Sequence, residues 1–454
     1  MDQHERDMKM KNCLILAFAA ILLAGAAASS RGVEEARTPA YKLRVRVDPG
    51  SHAISCRAVI TDPGDSCFIL NSGMAIRRIL ADNKPAAYQT RPSRFMPNAS
   101  EVVLTSGIPD TIEFEYAGSF NAGAYPPILS SANMVTPELV EMAFYLTWYP
   151  RMNTARPFDF QLSADLPSEY ATVTNGSLVS ERSEGGRRVT DWQSYQPGTD
   201  IVLLAAPGLK RSVISRNGMT VELYYDRVPD SYIDSMKTEL LRSMERLTAL
   251  FGPSGSTPLI RVAYSPRNAW GYVRAPFIIV SEGNALSWRT GKFGSARDFR
   301  YLTHEMAHYW WGFADTNTPD DWLNEGLAEY SALEVSEELV GKDFADQLRK
   351  EYRSRIAAST SETPIAATQG GSPDRELNRY DKPTLLFDQA RRRYGSEGWD
   401  AFLRALYLRF AETHVATTEA FLDEVGKRLG NDARIRFAGV LYAKTWKGED
   451  AFKR

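Results

Sequence analysis

Residues 304–330 read HEMAHYWWGFADTNTPDDWLNEGLAEY, and this stretch decides how the chain is interpreted. It opens with two histidines four residues apart, His304 and His308. On a helix, positions i and i+4 lie on the same face, so both imidazoles can bind one metal ion. Glu305 lies beside them and can take a proton from a water on that metal. A catalytic zinc site uses three protein ligands, so the histidine pair predicts a third ligand elsewhere.

The second half of the stretch supplies that ligand. Thr318 and Pro319 are typical of a helix start, and the helix that follows contains Trp-Leu-Asn-Glu-Gly. Glu325 is its predicted carboxylate ligand. Glu329 lies one turn further on the same face, where it either bonds a ligand histidine or is a surface glutamate. Upstream, Ser295 and Asp298 have the spacing of a capping box that would begin the histidine helix.

The composition sets the frame around this motif. The chain has 454 residues, 43% hydrophobic and 24% charged, with a formal net charge of −2. This length predicts about two or three domains at roughly 100–200 residues each. The balanced charge argues against a nucleic-acid partner, and the composition is not that of a disordered chain. Three cysteines are too few for a disulfide-dense scaffold or a four-thiolate zinc site.

The N-terminus resembles an export signal. An apolar run extends from Cys13 to Ala24 and is followed by small residues up to Ser30. About a dozen apolar residues are too few for a membrane span, which needs about 20. We therefore predict a signal peptide over residues 1–30, a secreted or periplasmic location, and no stable membrane insertion after cleavage. The alternative is a buried helix or an uncleaved anchor.

An exported protein enters an oxidising compartment, where the two remaining cysteines could form a disulfide. Cys56 and Cys67 lie in two β-type runs on either side of the turn signal at residues 62–65, as in a hairpin. They either form a disulfide across the hairpin or are two small core residues on neighbouring strands.

The rest of the chain divides into two regions with different sequence patterns. Residues 31–208 contain short β-type runs separated by Pro, Gly, Asp and Asn, which predicts an N-terminal all-β sandwich domain. Residues 209–454 begin with strands and a helix over residues 230–252, and become almost entirely helical after residue 295. This order predicts an α+β domain.

The site motifs resemble the aminopeptidase N and leukotriene hydrolase family of gluzincin metallopeptidases. The resemblance implies a thermolysin-like catalytic domain in which His304, His308 and Glu325 bind one Zn²⁺ and Glu305 is the general base. Tyr-Asp-Lys-Pro, which begins at Tyr380, is similar to the family's Tyr-Glu-Lys-Gly segment. The resemblance implies that this tyrosine stabilises the oxyanion; otherwise it is a packing residue.

One segment departs from the family. A Gly-Ala-Met-Glu-Asn strand usually precedes the zinc helix, and its glutamate binds the free amino group of the substrate. The corresponding residues here are 271–276, with Arg274 in place of that glutamate. Arg274 either repels an ammonium group or is a solvated strand residue, and Glu282 could replace the glutamate only if its loop folds back. We also expect no C-terminal helical domain of the kind found in larger members, and hence a more open cleft.

The leading prediction is a zinc-dependent metallopeptidase that hydrolyses peptide bonds through a zinc-activated water, with an aminopeptidase as one form of that activity. Its partner would be a peptide substrate, and the oligomeric state is left open. Two alternatives come from other classes: a zinc-stabilised binding module that has lost catalysis, and a zinc hydrolase acting on a non-peptide substrate such as an epoxide.

Overall fold

The computed structural model describes residues 37–452, except residues 95, 97, 121–133, 155, 255–257, 268–270, 284–293, 361 and 449–450. The predicted signal peptide over residues 1–30 lies outside the described residues. Within the described part of the chain, no helix has the length and apolar character needed to cross a membrane.

The N-terminal part is built from β-strands. In chain order they are β1 Ala40–Asp48, β2 Ala53–Thr61, β3 Cys67–Asn71, β4 Met74–Ala81, β5 Lys84–Pro85, β6 Tyr88–Pro92, β7 Ala99–Leu104, β8 Thr111–Ser119, β9 Met134–Val135, β10 Val140–Met142, β11 Arg151–Met152, β12 Asp159–Pro167, β13 Tyr170–Thr174, β14 Gly176–Glu184, β15 Arg187–Ser194 and β16 Leu203–Pro207.

These strands form three sheets around one core. The large sheet has the order β14-β15-β12-β1-β2-β8-β4-β5, and the two smaller sheets have the orders β13-β16-β10-β9 and β11-β3-β7-β6. In β1 the side chains of Tyr41, Leu43, Val45 and Val47 are buried while the alternate residues are exposed, as expected for a strand with one face on the core. The shared core draws residues from all three sheets. The predicted β-rich N-terminal region is therefore confirmed.

The predicted hairpin around the turn signal at residues 62–65 is wrong. Strand β2 lies in the large sheet, whereas β3 pairs with β7 and β11 in another sheet. The side chain of Asp65 gives the physical reason, because it accepts hydrogen bonds from the backbone N–H groups of Cys67 and Thr154, both at 2.9 Å. These bonds direct β3 toward β11 rather than back along β2. Cys56 and Cys67 are both free thiols, so the disulfide, one of the two alternatives, is not formed. They do not lie on neighbouring strands either, because β2 and β3 belong to different sheets.

The second part begins with a mixed sheet and a helix. Its elements are β17 Lys210–Arg216, β18 Met219–Tyr225, α1 Asp230–Phe251, β19 Leu259–Ser265, β20 Tyr272–Arg274 and β21 Phe277–Ser281. The sheet order is β17-β18-β19-β21-β20, with parallel pairing of β18, β19 and β21 and antiparallel pairing at both edges. Helix α1 matches the prediction for residues 230–252.

Helices follow, as predicted for residues after 295. They are α2 Gly294–Ala307, α3 Trp322–Leu339, α4 Lys342–Ala358, α5 Lys382–Tyr394, α6 Ser396–Thr413, α7 Thr418–Leu429 and α8 Asn431–Leu441, with 3₁₀ turns at Pro319–Asp321 and Ile365–Ala367 and a π-helical turn at Leu377–Asp381. One apolar core joins these helices, apart from α4, to the five-stranded sheet. The buried apolar side chains of α4 form a smaller cluster with Leu333 of α3 and Leu385 of α5. The predicted helical C-terminal region is confirmed, whereas the domain boundary at residues 208 and 209 stays a prediction.

Candidate active site

The two predicted histidines lie at the end of α2. His304 is in the last turn of the helix, and His308 is the first residue beyond its end at Ala307. The backbone continues in a tight turn there, because the N–H groups of Tyr309 and Trp310 bond to carbonyls three residues earlier. The imidazole rings therefore stay together, with their centroids 4.9 Å apart.

Helix α3 brings the predicted carboxylate to them. Thr318 accepts a hydrogen bond from the N–H of Asp320, and the following 3₁₀ turn leads into α3. The Glu325 Oε2 atom lies 3.3 Å from His304 Nε2 and 3.5 Å from His308 Nε2. One ligand atom from each of the three residues lies within 4.8 Å of the other two. The structure thus brings together the three predicted metal ligands.

The donor set fits a zinc ion. His308 Nδ1 donates to the carbonyl of Trp311 at 2.9 Å, which leaves the lone pair of Nε2 facing Glu325. His304 Nδ1 lies 2.9 Å from Glu329 Oε2, although this carboxylate is off the ideal N–H direction. This set of two imidazoles and one carboxylate is typical of zinc sites that keep one coordination position open. In such sites a second group usually contacts the other nitrogen of each imidazole, as Trp311 and Glu329 do here.

The charges of these groups also favour a cation between them. Burial lowers the pKa of His304, but the carboxylates of Glu325 and Glu329 outweigh it and raise the pKa to about 10. Burial raises the pKa of Glu325, but hydrogen bonds from the two histidines hold it well below its usual value. Without a metal, protons balance this carboxylate charge, and metal binding displaces such protons.

Glu329 is not a surface residue, which was one of the two predicted alternatives. The residue is 3% exposed, and its carboxylate accepts short hydrogen bonds from Arg300 on α2 and Tyr352 on α4. A buried charge needs such partners, because an unpaired carboxylate is costly inside a protein. The cluster of Glu329, Arg300 and Tyr352 therefore ties three helices together directly behind His304.

Glu305, the predicted general base, is half-buried and has a neighbour that sequence reasoning missed. Tyr301, one turn earlier on α2, donates a hydrogen bond to Glu305 and accepts one from the N–H of Gly271. The fit at Gly271 is tight, because a Cβ there would lie 2.7 Å from the Tyr301 hydroxyl. The signal for Tyr301 was its position four residues before Glu305, which places both on one helix face.

Tyr380 lies where the family resemblance placed it. It sits in the π-helical turn just before α5, and its ring stacks on His304 with centroids 5.7 Å apart and an interplanar angle of 25°. Burial, and then the charge of Glu325, raise the pKa of Tyr380 well above its usual value. The phenol is therefore protonated near neutral pH and can donate a hydrogen bond.

A close helix contact holds Tyr380 near the ligands. A Cβ at Gly326 would lie 2.5 Å from Cβ of Pro383. The glycine after Glu325 thus lets α3 approach the segment that carries Tyr380. Pro383 lies in the first turn of α5, three residues after Tyr380. The distance between α3 and this segment therefore also sets the distance between Tyr380 and the ligands.

Arg274 is not a solvated strand residue. Its Nε atom donates to Asp200 Oδ2 at 2.9 Å, and its guanidinium lies over the rings of Phe144, Tyr145 and Tyr272. Asp200 is almost completely buried, so the positive charge of Arg274 is balanced inside the protein.

Glu282 does not replace the missing glutamate in this structure. Its side chain is 2% exposed and pairs with Arg227. Another buried acid near strand β20, Glu141, pairs with Arg267 at 2.9 Å and accepts a hydrogen bond from Ser265 at 2.8 Å. Both carboxylates are thus already engaged by other groups.

Comparisons with known proteins bear on the fold of this chain. No family model matches the sequence, and no curated protein matches it. Among solved structures, an M1 zinc metallopeptidase from Deinococcus radiodurans is 18% identical, covers 90% of this chain and 95% of its own, and has a TM-score of 0.67.

Two mutants of such enzymes are also similar. A Deinococcus radiodurans mutant bound to a Tyr-Ser-Ala substrate is 18% identical over 90% of this chain and 96% of its own, with a TM-score of 0.66. A two-domain M1 zinc metallopeptidase mutant bound to L-arginine is 18% identical over 90% and 95%, with a TM-score of 0.67. The resemblance predicted from the motifs is confirmed at the level of the fold: this chain has the fold of the M1 zinc metallopeptidases.

Proposed function

We propose that this protein is a zinc-dependent metallopeptidase that hydrolyses peptide bonds. One observation carries the proposal: ligand atoms of His304, His308 and Glu325 lie within 4.8 Å of one another, with Glu305 on the same helix and Tyr380 stacked on His304. A similar structure that binds a Tyr-Ser-Ala peptide supports the choice of substrate class.

The three ligands would hold the metal and leave room for catalysis. A bound zinc ion supplies a Lewis acid that lowers the pKa of water toward about 7 and polarises a carbonyl group. A purely structural zinc site is usually closed by four protein ligands. Three ligands, together with a half-buried acid that a structural site does not need, therefore favour an enzyme over a binding module.

Two further side chains would handle the proton and the negative charge. Glu305 would accept the proton of the attacking water at its carboxylate and pass it to the leaving nitrogen. Tyr380, protonated near neutral pH, would donate a hydrogen bond to the oxygen on which negative charge develops. Tyr301 would hold the Glu305 carboxylate in place between these steps.

Arg274 bears on whether the site recognises the free N-terminus of a peptide substrate. The pairing of Arg274 with Asp200 leaves strand β20 with neither a carboxylate to bind an ammonium group nor an unbalanced charge to repel one. Comparing hydrolysis of free and N-acetylated peptides measures this directly: faster cleavage of free N-termini indicates an aminopeptidase, and equal cleavage indicates an endopeptidase.

Glu305→Gln tests the mechanism. We expect this variant to keep one zinc per chain and to lose at least about 100-fold in kcat on a broad peptide library, the usual contribution of a general base. Glu338→Gln, which changes a 51% exposed acid at the far end of α3 from Glu325, is the matched control and should keep its activity. If Glu305→Gln hydrolyses peptides as fast as the parent, or if the zinc-loaded parent is inert on the library, the proposal is wrong.

We also propose that the enzyme works outside the cytoplasm after removal of residues 1–30. The apolar run from Cys13 to Ala24 supports this location. N-terminal sequencing of the exported protein should find a start near residue 31, and an intact N-terminus in the cytoplasm would contradict it.

A further inference from the structure

The outer face of the large sheet carries a basic groove that the metal site does not use. The groove has a volume of about 790 Å³ and crosses strands β14, β15, β12, β1, β2, β8 and β4. Six cationic side chains line it against three acidic ones, which gives a net charge of +3. The cations are Lys42, Arg44, Arg46, Arg57, Arg77 and Arg182. A local excess of this size in a chain of net charge −2 sets the groove apart from the rest of the molecule.

The centre of the groove is strand β1. Lys42, Arg44 and Arg46 occupy alternate positions and are exposed, whereas Tyr41, Leu43, Val45 and Val47 between and beside them face the core. Residues i and i+2 of a strand lie about 6.7 Å apart on one face. The strand therefore presents a row of three positive charges at a regular spacing.

Neighbouring strands leave this row mostly unneutralised. Arg44 lies opposite Ser163 on β12 and Arg57 on β2. Arg57 is held away by a bidentate bond to Glu113. Among the described residues, Arg44 has no ion pair of its own.

The other cations of the row are similarly available. Lys42 lies opposite Gln161 and Val59 and has no ion pair among the described residues. Arg46 lies 3.9 Å from Asp165, but that carboxylate accepts a much shorter bond from Arg187. An anionic ligand would thus meet three cations that the protein itself leaves largely unpaired.

We propose that this groove binds an acidic peptide segment of a second protein in an extended conformation. An extended peptide repeats the geometry of β1, so acidic residues at every second position would face the groove at the same spacing of about 6.7 Å. Arginine and lysine side chains bind carboxylates through charge-assisted hydrogen bonds. A concave groove of this volume suits a chain lying in it, whereas a membrane surface needs a flat or convex face.

The test uses full-length zinc-loaded protein carrying Glu305→Gln, so that the probe is not cleaved. The probe is a fluorescent peptide of alternating Glu and Ser residues, and the comparison probe has the same composition with its Glu residues in one block. Fluorescence anisotropy should show tighter binding of the alternating peptide and weaker binding as salt screens the charges. Equal binding of the two peptides would overturn the strand-register argument.

The double variant Lys42→Gln/Arg44→Gln should weaken binding of the alternating peptide by about tenfold, as expected for the loss of two exposed ion pairs. Arg77→Gln on β4 is a second, independent variant and should weaken it two- to fivefold, roughly the effect of one such pair. The matched control Lys350→Gln/Arg393→Gln removes the same charge from exposed positions on α4 and α5 and should leave binding unchanged.

Three further outcomes overturn the proposal. They are equal weakening by the control double variant, unchanged binding in the groove variants, and binding of heparin or anionic phospholipid vesicles without binding of the peptide. The Glu305→Gln background separates this test from the proposed peptidase activity, because binding is read without any turnover.

Discussion

Glu329→Gln probes the buried cluster behind His304. The substitution keeps the shape of the side chain but removes the charge that faces His304 Nδ1, Arg300 and Tyr352. Removing a group that orients a metal-bound histidine typically costs 10- to 100-fold in metal affinity, which is about 1.4–2.7 kcal/mol. We expect the zinc dissociation constant to rise by that factor.

The same substitution should also destabilise the metal-free protein. Arg300, whose side chain is 23% exposed, would lose its carboxylate partner. Breaking a fully buried pair in this way costs about 3–5 kcal/mol, and water at the exposed part of the guanidinium lowers that cost. The hydrogen bond to Tyr352 is retained by the glutamine oxygen, so we expect a loss near the lower value, about 3 kcal/mol. Urea unfolding of the zinc-free protein measures this term.

The zinc dissociation constant is measured separately, by competition with a chelating dye at fixed pH. Glu338→Gln is the matched control, because it lies on the same helix but its side chain is 51% exposed in a pair with Arg246. An exposed pair contributes about 0–1 kcal/mol, so the control should change neither quantity measurably. If Glu329→Gln unfolds more easily but binds zinc as tightly as the control, the cluster stabilises the helices without orienting His304, and the reasoning is refuted.

Two further substitutions test contacts beside the ligands. Tyr301→Phe should lower kcat by up to about tenfold, since a hydrogen bond to a charged group contributes about 1.5 kcal/mol. It should leave the zinc affinity and KM unchanged. A kcat equal to that of the parent would show that Glu305 does not need the hydrogen bond from Tyr301. Gly326→Ala should cost about 1–3 kcal/mol for its overlap with Pro383, less about 1 kcal/mol gained in helix propensity, as read by urea unfolding. It should also lower kcat by moving Tyr380, and a variant that is both more stable and fully active would contradict the close packing.

The metal ligands could be predicted from sequence because their geometry is local. The i and i+4 spacing of His304 and His308 survives even though α2 ends at Ala307, since the tight turn that follows keeps the rings together. Glu325 was found from the helix start predicted at Thr318. In the structure Thr318 caps the 3₁₀ turn Pro319–Asp321, and α3 begins directly after it at Trp322. Such patterns depend on neighbours within a few residues.

Features that depend on distant residues were predicted less well. Ser295 and Asp298 have the spacing of a capping box, but Ser295 lies inside α2 and Asp298 accepts hydrogen bonds from Tyr232 and Tyr264 in the core. These partners lie 66 and 34 residues away in the chain, beyond the reach of any local pattern. Burial raises the pKa of Asp298 to about 6 despite the tyrosine hydrogen bonds, as expected of a core acid rather than a cap at a helix end.

The placement of Cys56 and Cys67 relative to each other could not be predicted for the same reason. Cys56 and Cys67 are eleven positions apart and flank a good turn signal, yet the turn is fixed by Asp65, which bonds to a residue 89 positions away. A turn signal shows that the chain changes direction, but the direction itself is chosen by tertiary hydrogen bonds. The strand after the turn therefore joined another sheet.

Arg274 shows how a departure from a family motif can be built into the fold. Its partner Asp200 lies 74 residues earlier and also accepts hydrogen bonds from the Tyr149 hydroxyl at 3.1 Å and the backbone N–H of Phe144 at 3.2 Å. A glutamate at position 274 would face this buried carboxylate, and two buried like charges without a cation cost several kcal/mol. The arginine and Asp200 therefore form one unit, and a family-like glutamate is compatible with this strand only if Asp200 changes as well.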